Sequence, residues 1–249
     1  MISEKSNTQN IYGIQSVLES LDSGIQLNKV FVQKDIRNAQ IDVIINECKK
    51  RKIPVQFIPR ESSSFPEFKN HQGVVAIVSP VEYFQLENLL PQIIEEGKIP
   101  FFILLDRITD VRNFGAIARS AFCAGVHGII IPENGSAQVS DDAIKTSAGA
   151  LLKIPVCRER NMKSTMELLN QSGVKTIACT EKANKDISFV SLVEPVCIVL
   201  GSEENGISNE VLRKCSVIAR IPLDKGLASL NVSVAAGIAM YETVRQRMN

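Results

Sequence analysis

The chain is poor in the residue types on which several common functions depend. It contains no tryptophan, only 5% aromatic residues and two histidines. An RNA-binding face built mainly from stacked aromatic side chains is therefore not expected. No apolar run approaches the about 18 residues that a membrane helix needs, and the polar first ten residues do not resemble an export signal. These absences favour a cytoplasmic protein without a membrane anchor.

Charge and cysteine content argue against two further classes. The 28 basic and 27 acidic residues leave a net charge of +1, so the chain as a whole lacks the positive charge typical of nucleic-acid-binding proteins. The densest basic run, at 49–52, either ends a solvated helix or contacts RNA. The six cysteines form no C-x-x-C pair and several lie in apolar runs. They are interpreted as small core residues in a reducing compartment, and no metal site is expected.

The N-terminal third has the pattern of a small α/β domain, assigned to residues 1–80. Helices are predicted at 14–21 and 37–52, and strands at 30–32, 55–58 and 74–78. Residues 81–100 contain one predicted helix, at 85–97, between flanking prolines. This segment is interpreted as a linker.

Residues 101–249 alternate regularly between strand and helix. Strands are predicted at 101–105, 126–131, 154–157, 174–179, 196–200 and 217–221, and helices at 114–124, 141–151, 161–172, 207–214 and 230–247. Continuous apolar strands separated by helices indicate a mostly parallel sheet covered on both faces. Ligands bind such sheets at the carboxyl ends of the strands, so functional residues are expected in the loops there.

The loop after the strand at 101–105 is rich in arginine. Three arginines surround the predicted start of the next helix: Arg107, Arg112 and Arg119. Asn113 is the expected N-cap of that helix. Because a helix N-terminus already attracts anions, the three guanidinium groups could cradle phosphate. Surface ion pairs with Asp106 and Asp110 explain the arginines equally well.

The loop after the strand at 196–200 combines glycine with carboxylates. Gly201, at the strand end, permits close approach of the backbone to a ligand. The adjacent Glu203 and Glu204 would repel phosphate, and the G-x-x-x-x-G-K-[ST] pattern is missing. A cationic or neutral polar ligand therefore fits this loop better. An ordinary turn that caps the next helix fits it as well.

A third segment places polar residues at the entrance of an apolar helix. Ser229, Asn231 and Ser233 precede two turns that are almost wholly small and apolar. A helix that is apolar all round is expected to be buried all round, against the core or a second subunit. Capping explains Ser229 but not three polar residues together, so hydrogen bonds to protein or ligand are expected.

In order and spacing, these segments resemble the three signature motifs of the SpoU–TrmH (SPOUT) family of RNA 2′-O-ribose methyltransferases. The similar stretches are Asn113-x-Gly115-x-x-x-Arg119, Gly201-Ser202-Glu203-x-x-Gly206 and Ser229-Leu230-Asn231-Val232-Ser233. Near the N-terminus, Tyr12-Gly13-Ile14 and His71-Gln72-Gly73 resemble the small substrate-binding domain of the RlmB-like branch. That branch often has His where Gln15 stands in this chain.

The resemblance implies a parallel α/β methyltransferase domain with a C-terminal trefoil knot, preceded by a small α/β RNA-binding domain. S-adenosyl-L-methionine would bind in the knot, mainly through backbone groups near Gly201, Ile221 and Leu230. Thr180, at the preceding strand end, is a further candidate. The resemblance also implies a homodimer in which each active site draws on both subunits. The implied substrate is structured RNA, with 23S ribosomal RNA favoured over transfer RNA.

The motif match assigns catalysis to five residues: Arg119, Asn113, Glu203, Ser229 and Asn231. Arg119 would bind the phosphate beside the target ribose and polarise the 2′-hydroxyl, and it would contact RNA together with Arg107 and Arg112. Asn113, Ser229 and Asn231 would orient the hydroxyl and the arginine, and Glu203 would fix their geometry. Neither His71 nor His127 lies in the three loops, so a histidine base is not expected and both are interpreted as structural.

Two other classes of function remain as alternatives. A non-catalytic RNA-binding or ribosome-assembly protein could keep the fold, but the joint presence of the five catalytic residues argues against it. Calorimetric binding of S-adenosylmethionine would separate the two. A nucleotide-dependent α/β enzyme predicts a glycine-rich phosphate loop, and neither G-x-G-x-x-G nor a P-loop is present.

Overall fold

A computed structural model describes residues 10–36, 38–62, 70–224 and 229–248. Within them the chain divides into two compact units after Glu82, and residues Gln138–Asp141 belong to the first unit. Residues 1–9, which the sequence analysis assigns to the small domain, and residues 225–228, ahead of Ser229, lie outside the described residues. No helix of the described ranges is long and apolar enough to cross a bilayer.

The smaller unit is a four-stranded sheet with two helices, which confirms the predicted small α/β domain. Its strands are β1 (Asn10–Tyr12), β2 (Leu27–Gln33), β3 (Val55–Ile58) and β4 (Val74–Val78), in the order β1-β4-β2-β3, and its helices are α1 (Ile14–Asp22) and α2 (Ala39–Lys50). Both helices bury their apolar stripe in a core shared with the sheet, including Val17 and Leu21 of α1 and Ile44 of α2. Burial of this stripe is the main force that holds the unit together.

The turn before β4 fixes the start of α1. Gly13 has a φ of 91° and offers no capping side chain. Instead, the backbone N–H of Ile14 donates to the Oε1 of Gln72 at 3.1 Å. His71 Nδ1 accepts from the Gly73 N–H at 2.9 Å, which supports its interpretation as a structural residue.

The basic run at 49–52 forms the C-terminal end of α2. Lys50 pairs with Glu47 at 2.6 Å, and the Arg51 guanidinium donates to the backbone carbonyl of Leu21. Arg51 therefore ties α2 to the end of α1.

The larger unit contains a seven-stranded sheet in which every pairing is parallel, in the order β11-β9-β10-β6-β7-β8-β5. The strands are β5 (Tyr83–Phe84), β6 (Phe101–Asp106), β7 (Gly128–Pro132), β8 (Val156–Glu159), β9 (Lys175–Cys179), β10 (Val196–Gly201) and β11 (Val217–Ala219). The helices are α3 (Leu86–Glu95), α4 (Val111–Cys123), α5 (Asp141–Thr146), α6 (Met162–Gln171), α7 (Asn209–Leu212) and α8 (Val232–Arg247). The mostly parallel α/β sheet is confirmed.

Helices cover both faces of this sheet. Phe102 and Leu104 of β6 pack with α3 and α6 on one face, where Leu90 and Met166 are fully buried. Side chains alternate along a strand, so Phe101, Ile103 and Leu105 face the opposite side. There α4 and α8 pack on each other, and Arg247 of α8 lies over the Phe101 ring at 5.0 Å.

The segment at 81–100, interpreted as a linker, contributes to the larger unit. It forms the edge strand β5, which pairs with β8, and helix α3. Leu86, Leu89 and Leu90 of α3 are buried in the core beside the sheet. The segment therefore adds apolar burial to this unit as well as joining two regions of the chain.

The cysteines have different environments. Cys48, Cys157 and Cys197 are buried, but Cys123 at the end of α4 is exposed, so the core prediction is wrong for it. Burial raises the pKa of Cys215 to about 12, with a smaller contribution from Asp106. Its thiol therefore stays protonated at neutral pH.

Candidate active site

Four neighbouring strands end at the same edge of the larger sheet. Because β11, β9, β10 and β6 are parallel neighbours, their carboxyl ends lie side by side. A cavity of about 500 Å³ opens there. Its walls include residues 179–182 at the end of β9, residues 200–207 at the end of β10, Ile221 and Leu223 after β11, and Ser229, Leu230, Val232 and Ala235 around the start of α8. This is the position at which α/β sheets bind ligands.

All four residues proposed to hold a cofactor line this cavity: Thr180, Gly201, Ile221 and Leu230. Among the described residues, three carboxylates and one lysine also line it, namely Glu181, Glu203, Glu204 and Lys182. Burial, followed by the charge of Glu181, raises the pKa of Cys179 in the same wall to about 11. The cavity thus combines apolar walls with an excess of negative charge and a thiol that remains neutral.

The loop after β10 folds back on its own strand. A Cβ built on Gly201 would lie 2.0 Å from the carbonyl carbon of Gly206 and 2.2 Å from the Ile207 nitrogen. The Gly206 N–H closes the turn by donating to the Ser202 carbonyl at 2.8 Å. Gly201 was expected to make room for a ligand; the space of its missing side chain is filled by the backbone of its own loop.

The helix of the first motif begins earlier than predicted. Asp110 is the N-cap of α4, and its carboxylate accepts from the Asn113 N–H at 2.8 Å. The prediction that Asn113 caps this helix is therefore wrong. Asp and Asn cap helices about equally well, and the residue one turn earlier takes the role here. The side chain of Asn113 is consequently available for contacts outside the helix.

Gly115 of the same motif has a packing role. A Cβ at this position would lie 2.7 Å from the Cβ of Thr146 and 2.9 Å from the carbonyl oxygen of Ala143. The glycine lets α4 approach α5 closely.

Asn113, Glu203 and Asn231 form one hydrogen-bonded cluster. Glu203 Oε1 accepts from Asn231 Nδ2 at 2.6 Å and from Asn113 Nδ2 at 3.2 Å. Asn231 Nδ2 also donates to Asn113 Oδ1 at 3.0 Å. Asn231 caps α8 at the same time, since its Oδ1 accepts from the N–H groups of Ser233 and Val234. One residue from each of the three motifs thus meets in this cluster, and its central member, Glu203, lines the cavity together with Ser229.

The three arginines around α4 have different surroundings. Arg107 pairs with Asp106 (3.6 Å) and donates to the Gly206 carbonyl at 3.2 Å, as the ion-pair interpretation expects. Arg112 and Arg119 are exposed and make no hydrogen bond or ion pair with the described residues. Seven residues apart on one helix, they share a face. Arg119 does not line the cavity, and among the described residues it makes no hydrogen bond or ion pair with Glu203 or Ser229.

Helix α8 leaves one apolar face uncovered. Val234, Ile238 and Tyr241 are exposed, Tyr241 by 68%, and a Cβ at Gly237 would meet nothing within 4 Å. The opposite side of the helix is buried through Ala236, Ala239 and Met240. The expectation of burial on all sides is therefore not met within a single chain.

His127 lies at the other end of the sheet. Its Nδ1 accepts from the Phe101 N–H, at the amino end of β6, at 3.1 Å. Burial, with smaller contributions from Lys98 and Arg247, lowers the pKa of His127. The imidazole is neutral and structural, in agreement with its interpretation. No histidine is among the described residues that line the cavity.

Sequence reasoning missed the structural role of Asp106. This residue ends the buried strand β6, is only 2% exposed, and accepts from the Ser208 N–H at 2.6 Å. The signal was an acidic residue at the end of an otherwise apolar run, which required a buried partner.

Comparison with known proteins accounts for almost the whole chain. Residues 100–241 match the SpoU rRNA Methylase family, and residues 10–84 match a domain family described as RNA 2′-O ribose methyltransferase substrate binding. The Bacillus subtilis protein YacO, whose name assigns it provisionally to the TrmH family of tRNA/rRNA methyltransferases, is 34% identical over 237 residues, 95% of each chain. A Staphylococcus aureus protein with the same provisional assignment is 36% identical, over 95% of this chain and 96% of its own.

Solved structures share the fold. An rRNA methyltransferase from Sinorhizobium meliloti with bound AdoMet has a TM-score of 0.61 and 25% identity, over 95% of this chain and 86% of its own. The SpoU methyltransferase AviRb from Streptomyces viridochromogenes, in complex with AdoMet, has a TM-score of 0.61 and 21% identity, over 96% and 90%.

Proposed function

Because the chain belongs to the SpoU rRNA methylase family, an RNA methyltransferase family, we propose that it transfers a methyl group from S-adenosylmethionine to a ribose 2′-hydroxyl of structured RNA. The favoured substrate is 23S ribosomal RNA. The observation that carries the proposal is the cluster of Asn113, Glu203 and Asn231 beside the cavity at the carboxyl ends of β9, β10 and β11. It supplies the oriented amide groups that alignment of a hydroxyl requires.

The residues around the cavity fit S-adenosylmethionine. Among the described residues, three carboxylates against one lysine suit a ligand with a positively charged sulfur, and Gly201, Ile221 and Leu230 lie in the cavity wall, where their backbone would make polar contacts. Ile221, Leu230 and Val232 offer apolar surface for a purine ring. When bound, the donor supplies an electrophilic methyl group on a sulfur that leaves as a neutral thioether.

The chain must align the ribose hydroxyl with that methyl group and favour loss of its proton. Alignment of two reactants can contribute up to roughly 7–11 kcal/mol to lowering a barrier. Glu203 holds the amides of Asn113 and Asn231 in place, and these amides with the Ser229 hydroxyl orient the acceptor. Arg119 would bind the neighbouring phosphate and polarise the hydroxyl. Arginine side chains stay protonated in proteins, so we assign it a charge-pairing role and not that of a base.

A homodimer would complete the site. Arg119 lies outside the cavity of its own chain, and the uncovered face of α8 with Val234, Ile238 and Tyr241 suits a second copy of the same helix. We propose that this face is the dimer contact and that Arg119 of one chain serves the cavity of the other. The C-terminal chain is expected to form the trefoil knot implied by the motifs.

The substrate assignment rests on the N-terminal unit and on exposed arginine. Residues 10–84 match a substrate-binding family, which supports recognition of a folded RNA by this unit. Arg112 and Arg119 on the exposed face of α4 are free to meet phosphate groups. Transfer RNA is the alternative substrate, because the names of the relatives give both tRNA and rRNA.

The experiment that tests the proposal is a map of 2′-O-methylation in total RNA from cells with and without this protein, combined with calorimetry of S-adenosylmethionine binding. Loss of one methyl group in 23S rRNA is the expected result. Loss of a methyl group in transfer RNA would establish the alternative substrate. An unchanged map together with no donor binding would refute the enzyme and favour a non-catalytic RNA-binding protein.

A further inference from the structure

Arg107 has an unusual backbone conformation for its type. Its φ is +61°, in the left-handed region that side chains with a Cβ rarely adopt. It follows immediately after β6, whose last residue, Asp106, pairs in register with Gly201 of β10. Such strain persists where surrounding contacts hold the residue in place.

The contacts of Arg107 run to the loop after β10. Its Nη2 donates to the carbonyl oxygen of Gly206 at 3.2 Å, and its Nε lies 3.6 Å from Asp106 Oδ1. The other oxygen of Asp106 accepts from the Ser208 N–H at 2.6 Å. Asp106 and Arg107 thus hold the loop on both sides of Ile207. Asp106 accepts from the N–H group that follows Ile207, and Arg107 donates to the carbonyl that precedes it.

Between these two contacts the loop after β10 packs closely against β10 itself. Gly206 stands over Gly201, where no Cβ would fit, and its N–H closes the turn onto Ser202. Gly201, Gly206 and Ile207 all line the cavity, whereas Asp106 and Arg107 do not. Asp106 and Arg107 would therefore affect a bound ligand by holding the loop after β10 in position, and not by touching the ligand.

We propose that Asp106 and Arg107 are positioning residues for the donor-binding loop, and that Arg107 acts on S-adenosylmethionine binding and not on RNA. This inference rests on the proposed function and departs from the motif-based assignment of Arg107 to RNA. The guanidinium is engaged by the Gly206 carbonyl and the Asp106 carboxylate, which leaves Arg112 and Arg119 as the arginines of this region open to phosphate.

The test compares Arg107→Asn with the matched control Arg112→Asn. Asparagine tolerates the left-handed backbone but is too short to reach Gly206, so the variant loses the contact without added strain. Arg112→Asn removes the same charge from an exposed residue that touches no loop. Arg107→Lys keeps a long cationic donor and should restore part of the lost function.

Three measurements separate the two roles. We expect Arg107→Asn to weaken S-adenosylmethionine binding about tenfold by calorimetry, the size of effect typical of a lost hydrogen bond to a charged group. Amide exchange at Gly206 and Ser208 should speed up in the donor-free protein, while RNA affinity and its salt dependence stay unchanged. Arg112→Asn should leave donor affinity and amide exchange unchanged. It should weaken RNA binding and reduce the salt dependence of that binding by about one phosphate contact.

Unchanged donor affinity in Arg107→Asn, or a loss of RNA affinity equal to that of Arg112→Asn, would overturn the inference. If the unmodified protein itself fails to bind S-adenosylmethionine, the proposed function falls. Amide exchange in the donor-free protein still decides whether Arg107 holds the loop, so the two failures are distinguishable.

Discussion

The Glu203 carboxylate and the Asn231 side-chain amide lie 2.6 Å apart, Oε1 to Nδ2, and their hydrogen bond joins the loop after β10 to the N-cap of α8. The same oxygen accepts from Asn113 Nδ2 at 3.2 Å and from the Val232 N–H at 3.4 Å. One carboxylate oxygen therefore links three chain segments beside the cavity that Glu203 lines.

Replacement of this carboxylate should impair catalysis more than it impairs folding. In Glu203→Ala the three donors lose their common acceptor, and we expect the rate of methyl transfer to fall about 100-fold, as misplacement of aligned groups commonly causes. Glu203→Gln keeps an acceptor oxygen and should retain more activity. Single-turnover transfer of a labelled methyl group to RNA measures both variants, and a normal rate in Glu203→Ala would exclude this role.

Removal of the Arg119 guanidinium should stop chemistry without affecting the donor. We expect Arg119→Ala to lower the transfer rate by about 100- to 1000-fold, the range for loss of a single group that stabilises a transition state. Calorimetric affinity for S-adenosylmethionine should be unchanged, because Arg119 does not line the cavity. Arg112→Ala is the control: it should weaken RNA binding but leave the rate at saturating RNA intact. Near-normal turnover of Arg119→Ala would contradict the assignment.

Mixed dimers test whether each site uses two chains. Arg119→Ala and Ser229→Ala are each expected to be inactive. If Arg119 serves the partner's cavity, a mixed dimer has one intact site, and an equal mixture after subunit exchange should recover about a quarter of the normal activity. A mixture that stays inactive, although exchange is verified by mass spectrometry, would place both residues in the same chain's site.

A charge on the uncovered face of α8 should separate the subunits. Ile238→Asp would place a carboxylate in an apolar contact, which is costly without a partner, so we expect a monomer with little activity. Ile94→Asp, at a residue on α3 across the sheet that is also exposed (49% against 39% for Ile238), should remain dimeric. Light scattering after size exclusion measures both, and a dimeric, active Ile238→Asp would show that the contact lies elsewhere.

His127 should make stability depend on pH. Its pKa is lowered in the folded chain from the usual 6.5, so the unfolded chain binds this proton more readily. The contribution of the neutral imidazole is full above pH 6.5 and is lost as the pH falls through the lowered value. In His127→Asn the loss of stability between about pH 8 and 5 should be smaller than in the unmodified protein. Urea unfolding at both pH values checks this, and identical losses would refute it.

Regular apolar patterns made the strands and long helices of the larger unit predictable. The run at 101–105 could only be a buried strand between helices, and it is β6, extended by Asp106. The short edge strands were not predicted, because two residues in β5 and three in β1 are too few to show an apolar pattern. Their pairing partners, not their own composition, determine them.

The sequence pointed to residues that the structure brings together, but not to the contacts between them. Motif order was enough to select Asn113, Glu203 and Asn231. Spacing did not reveal that Asp110 would cap α4 and release Asn113, because either residue can cap a helix. Nor could it reveal the left-handed backbone of Arg107, which depends on a partner 99 residues away. Because the first turns of α8 are apolar on all sides, its sequence likewise does not indicate which side packs against the rest of its own chain.

The cluster around Glu203 brings together residues separated by 90, 118 and 28 positions. Closing such long loops costs chain entropy before any contact can offset it, so no fragment of the chain can assemble these groups by local folding. During synthesis the cluster cannot exist until Asn231 has been made. A protein truncated before Asn231 would still contain every strand of the described residues, yet the cluster of Asn113, Glu203 and Asn231 would be missing.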